Sequence, residues 1–139
     1  MQAKANIMAN IVLASGVFGV FHYGHLLHLE EARKMGDTLV VSVIDDAHVD
    51  RWKGRAFYPQ EHRMEILRSL KCVDSVILVA LMIEALEWVR PKILVKGSDY
   101  LQGLDPVHTG YCKRHDIEIR FTKSPKYSAM KMISEHLHL

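Results

Sequence analysis

The sequence predicts an α/β protein with an open parallel sheet of about five strands and helices on both of its faces. Short apolar runs rich in branched residues alternate with amphipathic helical segments along the chain. A glycine-rich stretch joins the first apolar run to the first helical segment. Glycines or aspartates follow several of the runs, as is typical where strands end. Because ligands in open α/β sheets bind outside the carboxyl ends of the strands, that edge is the predicted place for a functional site.

The first strand is predicted at residues 10–16, because Ile11 to Ala14 form a short, continuous run of branched and small apolar residues. The first helix is predicted from Tyr23 to Met35, since leucines recur there at three- and four-residue spacing between charged residues. We expect the helix to stop at Gly36 through a C-terminal glycine cap.

The later elements follow from the same two patterns. Strands are predicted at 38–44, 75–79, 92–96 and 116–122, and helices at 60–70, 82–89, 105–115 and 128–137. Asp45 and Asp46 follow the second strand and are expected to cap a short helix. A basic, aromatic loop is predicted at 51–59 and a turn at 123–126.

Length and composition indicate one ordinary globular domain at residues 10–139, with residues 1–9 as a short leader or cloning remnant. The net charge of +2 favours neither nucleic acid nor a membrane surface as a partner. No apolar run approaches the roughly 18 residues that a membrane span requires. Cys72 and Cys112 show no metal-ligand spacing and are expected to be free thiols in a reducing compartment, which predicts a cytoplasmic protein.

The glycine-rich stretch carries the strongest indication of chemistry. It lies between a strand and a helix N-terminus, where the helix dipole and backbone N–H groups favour an anion. His22 and His25 are three residues apart across this junction, so both side chains are expected to face one ligand. Each imidazole can donate a hydrogen bond to phosphate, a protonated ring adds charge, and Gly24 leaves room for the phosphate. The pair therefore predicts stabilisation of a transferring phosphoryl group.

The His-x-Gly-His sequence after a strand that ends in Gly-x-Phe resembles the signature of the cytidylyltransferase-like nucleotidyltransferases. That group includes glycerol-3-phosphate cytidylyltransferase, the ADP-heptose synthase nucleotidyltransferase domain and archaeal FAD synthetase. The likeness extends from about Ile11 to Ile133 and includes Glu61-His62-Arg63 and Val95-Lys96-Gly97-Ser98-Asp99-Tyr100, which is similar to the heptose-type members. The resemblance implies a Rossmann-like sheet of the HxGH type.

The resemblance also implies an in-line attack by a substrate phosphate on the α-phosphorus of a nucleoside triphosphate, with release of pyrophosphate. Mg²⁺ would be held with the triphosphate, and the protein would be a homodimer. The implied catalytic residues are His22, His25 and Lys53. The implied nucleotide-binding residues are Gly16, Val17, Phe18, Gly24, Gly97, Asp99, Tyr127 and Ser128. The implied phosphate- or substrate-binding residues are Arg55, Arg63, Lys71 and Lys126.

The sequence departs from the family pattern at three positions. Gly19 stands where the family usually has aspartate, and Ala129 and Met130 replace two hydroxyl residues of the last-helix signature. An enzyme that uses CTP and an acceptor such as glycerol-3-phosphate is slightly favoured over a heptose- or FAD-synthetase-type enzyme that uses ATP. The three departures keep a second hypothesis open, a nucleotide-binding module with impaired or no catalysis.

Overall fold

The computed structural model describes residues 10–52, 58–98, 103–124 and 134–137. The strands are β1 (Ile11–Gly16), β2 (Thr38–Ile44), β3 (Ser75–Val79), β4 (Ile93–Lys96) and β5 (Glu118–Phe121). The helices are α1 (Tyr23–Arg33), α2 (Asp46–Trp52), α3 (Gln60–Arg68), α4 (Met82–Val89) and α5 (Pro106–Arg114), and residues 134–137 are also helical.

The five strands form one sheet in the order β3-β2-β1-β4-β5, and every neighbouring pair is parallel. One face packs against α1 and α3, through Leu29, Ala32 and Leu67. The other face packs against α4 and α5, through residues such as Leu86 and Cys112. Each fully buried leucine contributes about 1.5–3 kcal/mol. The predicted Rossmann-like α/β sheet with helices on both faces is therefore confirmed.

The element boundaries agree closely with the sequence-based expectations. The structure confirms the strands at 38–44 and 75–79 and the helix at 82–89. The helix predicted at 60–70 ends at Arg68, and residues 51 and 52 belong to α2 rather than to the predicted loop. Residues 128–133 of the predicted last helix lie outside the described part of the chain.

Gly36 has a different role from the one its position after α1 suggested. The helix ends at Arg33, and its C-cap Lys34 has an ordinary right-handed backbone. A Cβ atom at Gly36 would lie 2.7 Å from the Asn10 carbonyl oxygen and 2.7 Å from Val12 Cγ2. Glycine is therefore needed here because the turn into β2 passes directly against the start of β1.

We expect Gly36→Ala to lower the free energy of unfolding by about 1–3 kcal/mol, since the added methyl group overpacks against backbone that cannot move aside cheaply. Urea unfolding followed by circular dichroism measures this loss. Gly103→Ala is the matched control, because a Cβ atom there has no neighbour within 4 Å. Equal effects of the two substitutions would contradict the close-packing argument.

Both cysteines are free thiols, as predicted. Cys112 is buried between α5 and the sheet and Cys72 is half-buried, and burial raises the pKa of both thiols. Within the described ranges, no helix combines the length and the apolar character needed to cross a bilayer.

Candidate active site

The candidate site lies where β1 ends and α1 begins. His22 is the N-cap residue of α1, with an extended backbone (φ −143°, ψ 179°). Its carbonyl oxygen accepts the first helical hydrogen bonds, from His25 N at 3.0 Å and Leu26 N at 3.2 Å. Gly24 is buried in the first turn. The sequence therefore places both histidines at the positive end of the α1 dipole.

The two imidazole rings close a reciprocal cap on the helix. His22 Nδ1 accepts from the Gly24 N–H at 3.1 Å, and His25 Nδ1 accepts from the His22 N–H at 3.2 Å. A neutral imidazole has one donor and one acceptor nitrogen, so both rings must carry their proton on Nε2. The Gly24 N–H is used by the cap. The donors that the pair offers a ligand are consequently the two Nε2–H groups.

His25 is held in a cluster of aromatic rings. The His22 ring stacks on it with centroids 3.9 Å apart, and Phe21 and Phe18 each have a centroid 5.4 Å away. Phe18 is buried and has a left-handed backbone (φ 53°), and a Cβ atom at Gly16 would approach its ring to 3.1 Å. The predicted Gly-x-Phe residues thus shape the packing around His25.

This environment keeps the histidine pair neutral. Burial lowers the pKa of His25 to about 4, and the neighbouring His22 and His28 rings add to that shift. Burial also lowers the pKa of His22. With this pKa the His25 ring is neutral at neutral pH, until the charge of a bound anion raises the pKa. Its contribution to phosphate binding is a directed hydrogen bond.

We expect His25 to make folding less stable in acid. Its folded-state pKa lies below the ordinary value of 6.5, so the unfolded chain binds more protons between pH 6.5 and pH 4. The stabilisation is fully present above pH 6.5 and is lost as the pH falls towards 4. The shift of the pKa from 6.5 to about 4 corresponds to a free-energy change of at most about 3.4 kcal/mol, and solvent screening of the partly exposed ring reduces this to about 1–2 kcal/mol. Chemical denaturation measures how far the free energy of unfolding falls between pH 7 and pH 4. The fall should be smaller in His25→Asn than in the wild type, and an equal fall would contradict this assignment.

Arg63 was predicted to contact phosphate or substrate, but the structure gives its guanidinium another role. The side chain is fully buried and donates to three carbonyl oxygens, those of Tyr58 at 3.1 Å, Val17 at 2.8 Å and Ile44 at 2.7 Å. It also donates to the Asp46 carboxylate at 2.7 Å. Arg63 therefore ties the segment after β1 to the end of β2, and acts as a positioning residue.

A second set of contacts joins α1 to the end of β5. His28 Nδ1 lies 2.7 Å from the Thr122 hydroxyl, and Thr122 is buried. The Glu31 carboxylate accepts from the Lys123 N–H at 2.9 and 3.0 Å and from the Ser124 hydroxyl at 2.9 Å. The sequence reasoning missed His28, although it continues the three-residue spacing of the histidine motif. These contacts bring the end of β5 to the same rim as the histidine pair.

The remaining predicted site residues divide into three groups. Gly97 is half-buried at the carboxyl end of β4, on the same rim as the histidines. Lys71 is exposed in the turn that precedes β3, at the amino edge of the sheet, because α3 has carried the chain back to that edge. Its predicted phosphate contact is corrected accordingly. The predictions that lie outside the described residues concern Lys53, Arg55, Asp99, Lys126, Tyr127 and Ser128.

Comparison with known proteins agrees with this geometry. The chain is 46% identical over 101 residues to the bifunctional protein HldE of Azotobacter vinelandii, a match that covers 70% of this chain and 21% of that protein. It is 46% identical over 94 residues to the HldE of Pseudomonas aeruginosa strain LESB58, covering 65% of this chain and 20% of the relative. The chain thus matches about a fifth of the length of these curated relatives.

A solved structure shows the same fold over most of the chain. The lipopolysaccharide core biosynthesis protein from Thermoplasma volcanium GSS1 superposes with a TM-score of 0.71 at 29% identity, covering 86% of this chain and 99% of that one. The cytidylyltransferase-like family matches residues 13–135, which run from within β1 to beyond the end of β5. With the histidine pair seated at the N-terminus of α1, these matches establish that the chain belongs to the cytidylyltransferase-like family of nucleotidyltransferases.

Proposed function

We propose that this protein transfers a nucleoside monophosphate from a nucleoside triphosphate to a small phosphorylated acceptor and releases pyrophosphate. The observation that carries the proposal is the reciprocal cap of His22 and His25, which fixes two Nε2–H donors at the N-terminus of α1. Donors held before the substrate arrives stabilise developing charge without reorganisation.

The reaction needs positioning more than acid–base chemistry. An oxygen of the acceptor phosphate attacks the α-phosphorus and forms the new O–P bond. The bond from the α-phosphorus to the bridging oxygen breaks, and pyrophosphate leaves with that oxygen and its electron pair. Because a phosphate nucleophile is already anionic, no side chain has to remove a proton. The neutral His22 and His25 rings would hydrogen-bond the triphosphate oxygens, and the α1 dipole would add electrostatic stabilisation.

ATP with a sugar phosphate is the substrate pair that we now favour. Its support is the Val95-Lys96-Gly97-Ser98-Asp99-Tyr100 sequence, which resembles heptose-type members, and the similarity to HldE proteins and to a lipopolysaccharide core biosynthesis protein. CTP with glycerol-3-phosphate, which the sequence alone slightly favoured, is the alternative that the assay separates.

Mg²⁺ belongs in this proposal as part of the nucleotide substrate, where it would neutralise part of the charge of the triphosphate. Among the described residues, no group of three or more His, Cys, Asp or Glu side chains is arranged to hold a metal ion. The homodimer and the cytoplasmic location stay predictions.

The test is pyrophosphate release by the full chain with ATP or CTP, each with Mg²⁺, across polyol phosphates, sugar phosphates and flavin mononucleotide. We expect release with one nucleotide and one acceptor class, and none without an acceptor. A nucleotide that raises the melting temperature without any turnover would instead support the binding module.

Gly19 is the observation that keeps the binding module under consideration, because it replaces a family aspartate two residues before the phenylalanine that stacks on His25. Gly19→Asp should raise the rate of pyrophosphate release if the missing carboxylate limits turnover. A robust wild-type rate that Gly19→Asp leaves unchanged would exclude the impaired site.

A further inference from the structure

A row of polar side chains crosses the sheet on the face that packs against α4 and α5. The register of β1 with β2 pairs Ser15 with Ser42. On the other side of β1, Ala14 pairs with Val95, so the next residues, Ser15 and Lys96, lie beside each other. Side chains alternate between the faces of a strand. Ser15, Ser42 and Lys96 therefore point to the same side as the core residues Leu13, Val40 and Leu94.

This polar row lies at the rim of the sheet. β1 ends one residue after Ser15, and β4 ends at Lys96. The next row towards the amino edge is apolar on the central strands β2, β1 and β4, where it consists of Val40, Leu13 and Leu94. The change from apolar to polar side chains thus coincides with the edge at which ligands of such sheets bind.

Ser42 is the anomaly within the row. The residue is fully buried, and its hydroxyl has no hydrogen-bond partner among the described residues. Leaving a buried hydroxyl unsatisfied is costly, and such a group in a native protein calls for an explanation. An apolar residue would fill the same position without that cost, so the hydroxyl is explained if a ligand or a water held by the ligand bonds it.

Two basic side chains lie at the end of the row nearest β4. Lys96 is half-buried, and its Nζ donates to Met82 Sδ, at the start of α4, at 3.5 Å. His108 of α5 is close enough to Lys96 for the two charges to interact. Burial lowers the pKa of His108, Asp105 opposes that shift, and Lys96 adds to it. Asp105 itself caps α5 by accepting from the Val107 N–H at 2.9 Å.

We propose that the row of Ser15, Ser42 and Lys96 binds the acceptor substrate, and that this acceptor is a small polyhydroxylated phosphate monoester. The Lys96 ammonium neutralises the acceptor phosphate, the Ser15 hydroxyl bonds a hydroxyl group of the acceptor, and the buried Ser42 hydroxyl is bonded by a water that the acceptor holds. Phosphocholine offers a phosphate but no hydroxyl groups for the row, and its quaternary ammonium group would be repelled by Lys96. Flavin mononucleotide carries a polyol phosphate, but its large ring system places it outside the class of small acceptors. The inference rests on the proposed function, because it assigns the second substrate of that site.

The position of the row also suits an in-line reaction. α1 with its histidine pair packs against one face of the sheet, and the polar row faces the other. The triphosphate at the N-terminus of α1 and the acceptor beside Lys96 would thus approach the α-phosphorus from different sides of the end of β1. Attack and departure on opposite sides of the phosphorus require such an arrangement.

The test is equilibrium binding to the full chain by calorimetry, in the presence of Mg²⁺ and an α,β-methylene nucleotide that cannot be transferred. The probes are glycerol-3-phosphate, a hexose 1-phosphate, phosphocholine and flavin mononucleotide. The variants are Lys96→Met and Ser42→Ala. Lys92→Met is the control, because Lys92 is exposed and lies directly before the start of β4, whereas Lys96 lies at its end.

We expect the polyol or sugar phosphate to bind the wild type, and Lys96→Met to weaken that binding by about tenfold or more. Nucleotide affinity should change less than twofold, and Lys92→Met should have no effect. Ser42→Ala should weaken acceptor binding while raising the melting temperature, because it removes an unsatisfied buried hydroxyl. A purely structural serine would not combine those two effects.

Three results would overturn the inference: unchanged acceptor binding in Lys96→Met, a parallel loss of nucleotide affinity, or preferential binding of phosphocholine or flavin mononucleotide. Failure of the wild type to bind any polyol or sugar phosphate would overturn it as well. Pyrophosphate release is measured separately on the same samples. The expected binding pattern without pyrophosphate release would contradict nucleotidyl transfer and leave the assignment of the binding row intact.

Discussion

His25→Asn is expected to lower kcat by about 100- to 1,000-fold, the usual cost of removing one preorganised donor to a transition-state oxyanion. Asparagine retains an oxygen near the position of Nδ1, so it still accepts from the His22 N–H and keeps the helix cap. It loses the Nε2–H donor, which is the proton-bearing nitrogen because Nδ1 accepts from the His22 N–H. Steady-state kinetics of pyrophosphate release measure the loss, and chemical denaturation checks that the fold is retained.

His25→Gln is the informative control for this substitution. The glutamine amide reaches further and can place an N–H near the position of Nε2, while it gives up the cap to the His22 N–H. We therefore expect Gln to retain more activity than Asn and to be less stable. Equal activity of His25→Asn and the wild type would show that His25 is only a capping residue.

Arg63→Met is expected to lower the free energy of unfolding by about 3 kcal/mol or more, because four hydrogen bonds from one buried cation are lost and carbonyl oxygens remain without a donor. Arg63→Lys should recover only part of this loss, since one ammonium cannot reproduce the planar fork that spans Val17, Ile44 and Asp46. Urea unfolding gives both values.

The control for Arg63 is Arg68→Met on the same helix. Arg68 is half-exposed and has a 3.6 Å ion pair with Glu65, an arrangement worth less than about 0.5 kcal/mol. Similar losses for Arg63→Met and Arg68→Met would contradict the assigned role. Arg63→Lys should also lower enzymatic activity. The guanidinium fixes the Val17 carbonyl group, so its loss would leave the segment after β1 less ordered.

The fold was predictable because its signals are local. Buried parallel strands such as β2 are continuous branched apolar runs, and α4 repeats apolar residues at helical spacing between a strand and Pro91. The carboxyl edge as the site followed from the alternation of strands and helices. The His22 and His25 pair was visible because both residues lie within four positions of the chain.

Roles that depend on long-range contacts were not predictable from the residue type alone. Arg63 at the start of α3 looked like an anion-binding cation, but its partners are carbonyl groups 5, 19 and 46 residues away in sequence. The contact of His28 with Thr122 spans 94 residues. The neutrality of His25 depends on the packing of Phe18 and Phe21, which motif spacing does not encode.

The measurement that tests the central claim most directly is the fate of labelled phosphorus in the nucleotide. The full chain is incubated with Mg²⁺, a sugar phosphate and ATP labelled at either the α- or the γ-phosphorus, and the same pair of experiments is repeated with CTP. Nucleotidyl transfer predicts that the α-label appears in the product that contains the acceptor, and that the γ-label appears in pyrophosphate. Transfer of the γ-label to the acceptor, or no transfer of the α-label to any phosphorylated acceptor, would contradict the account.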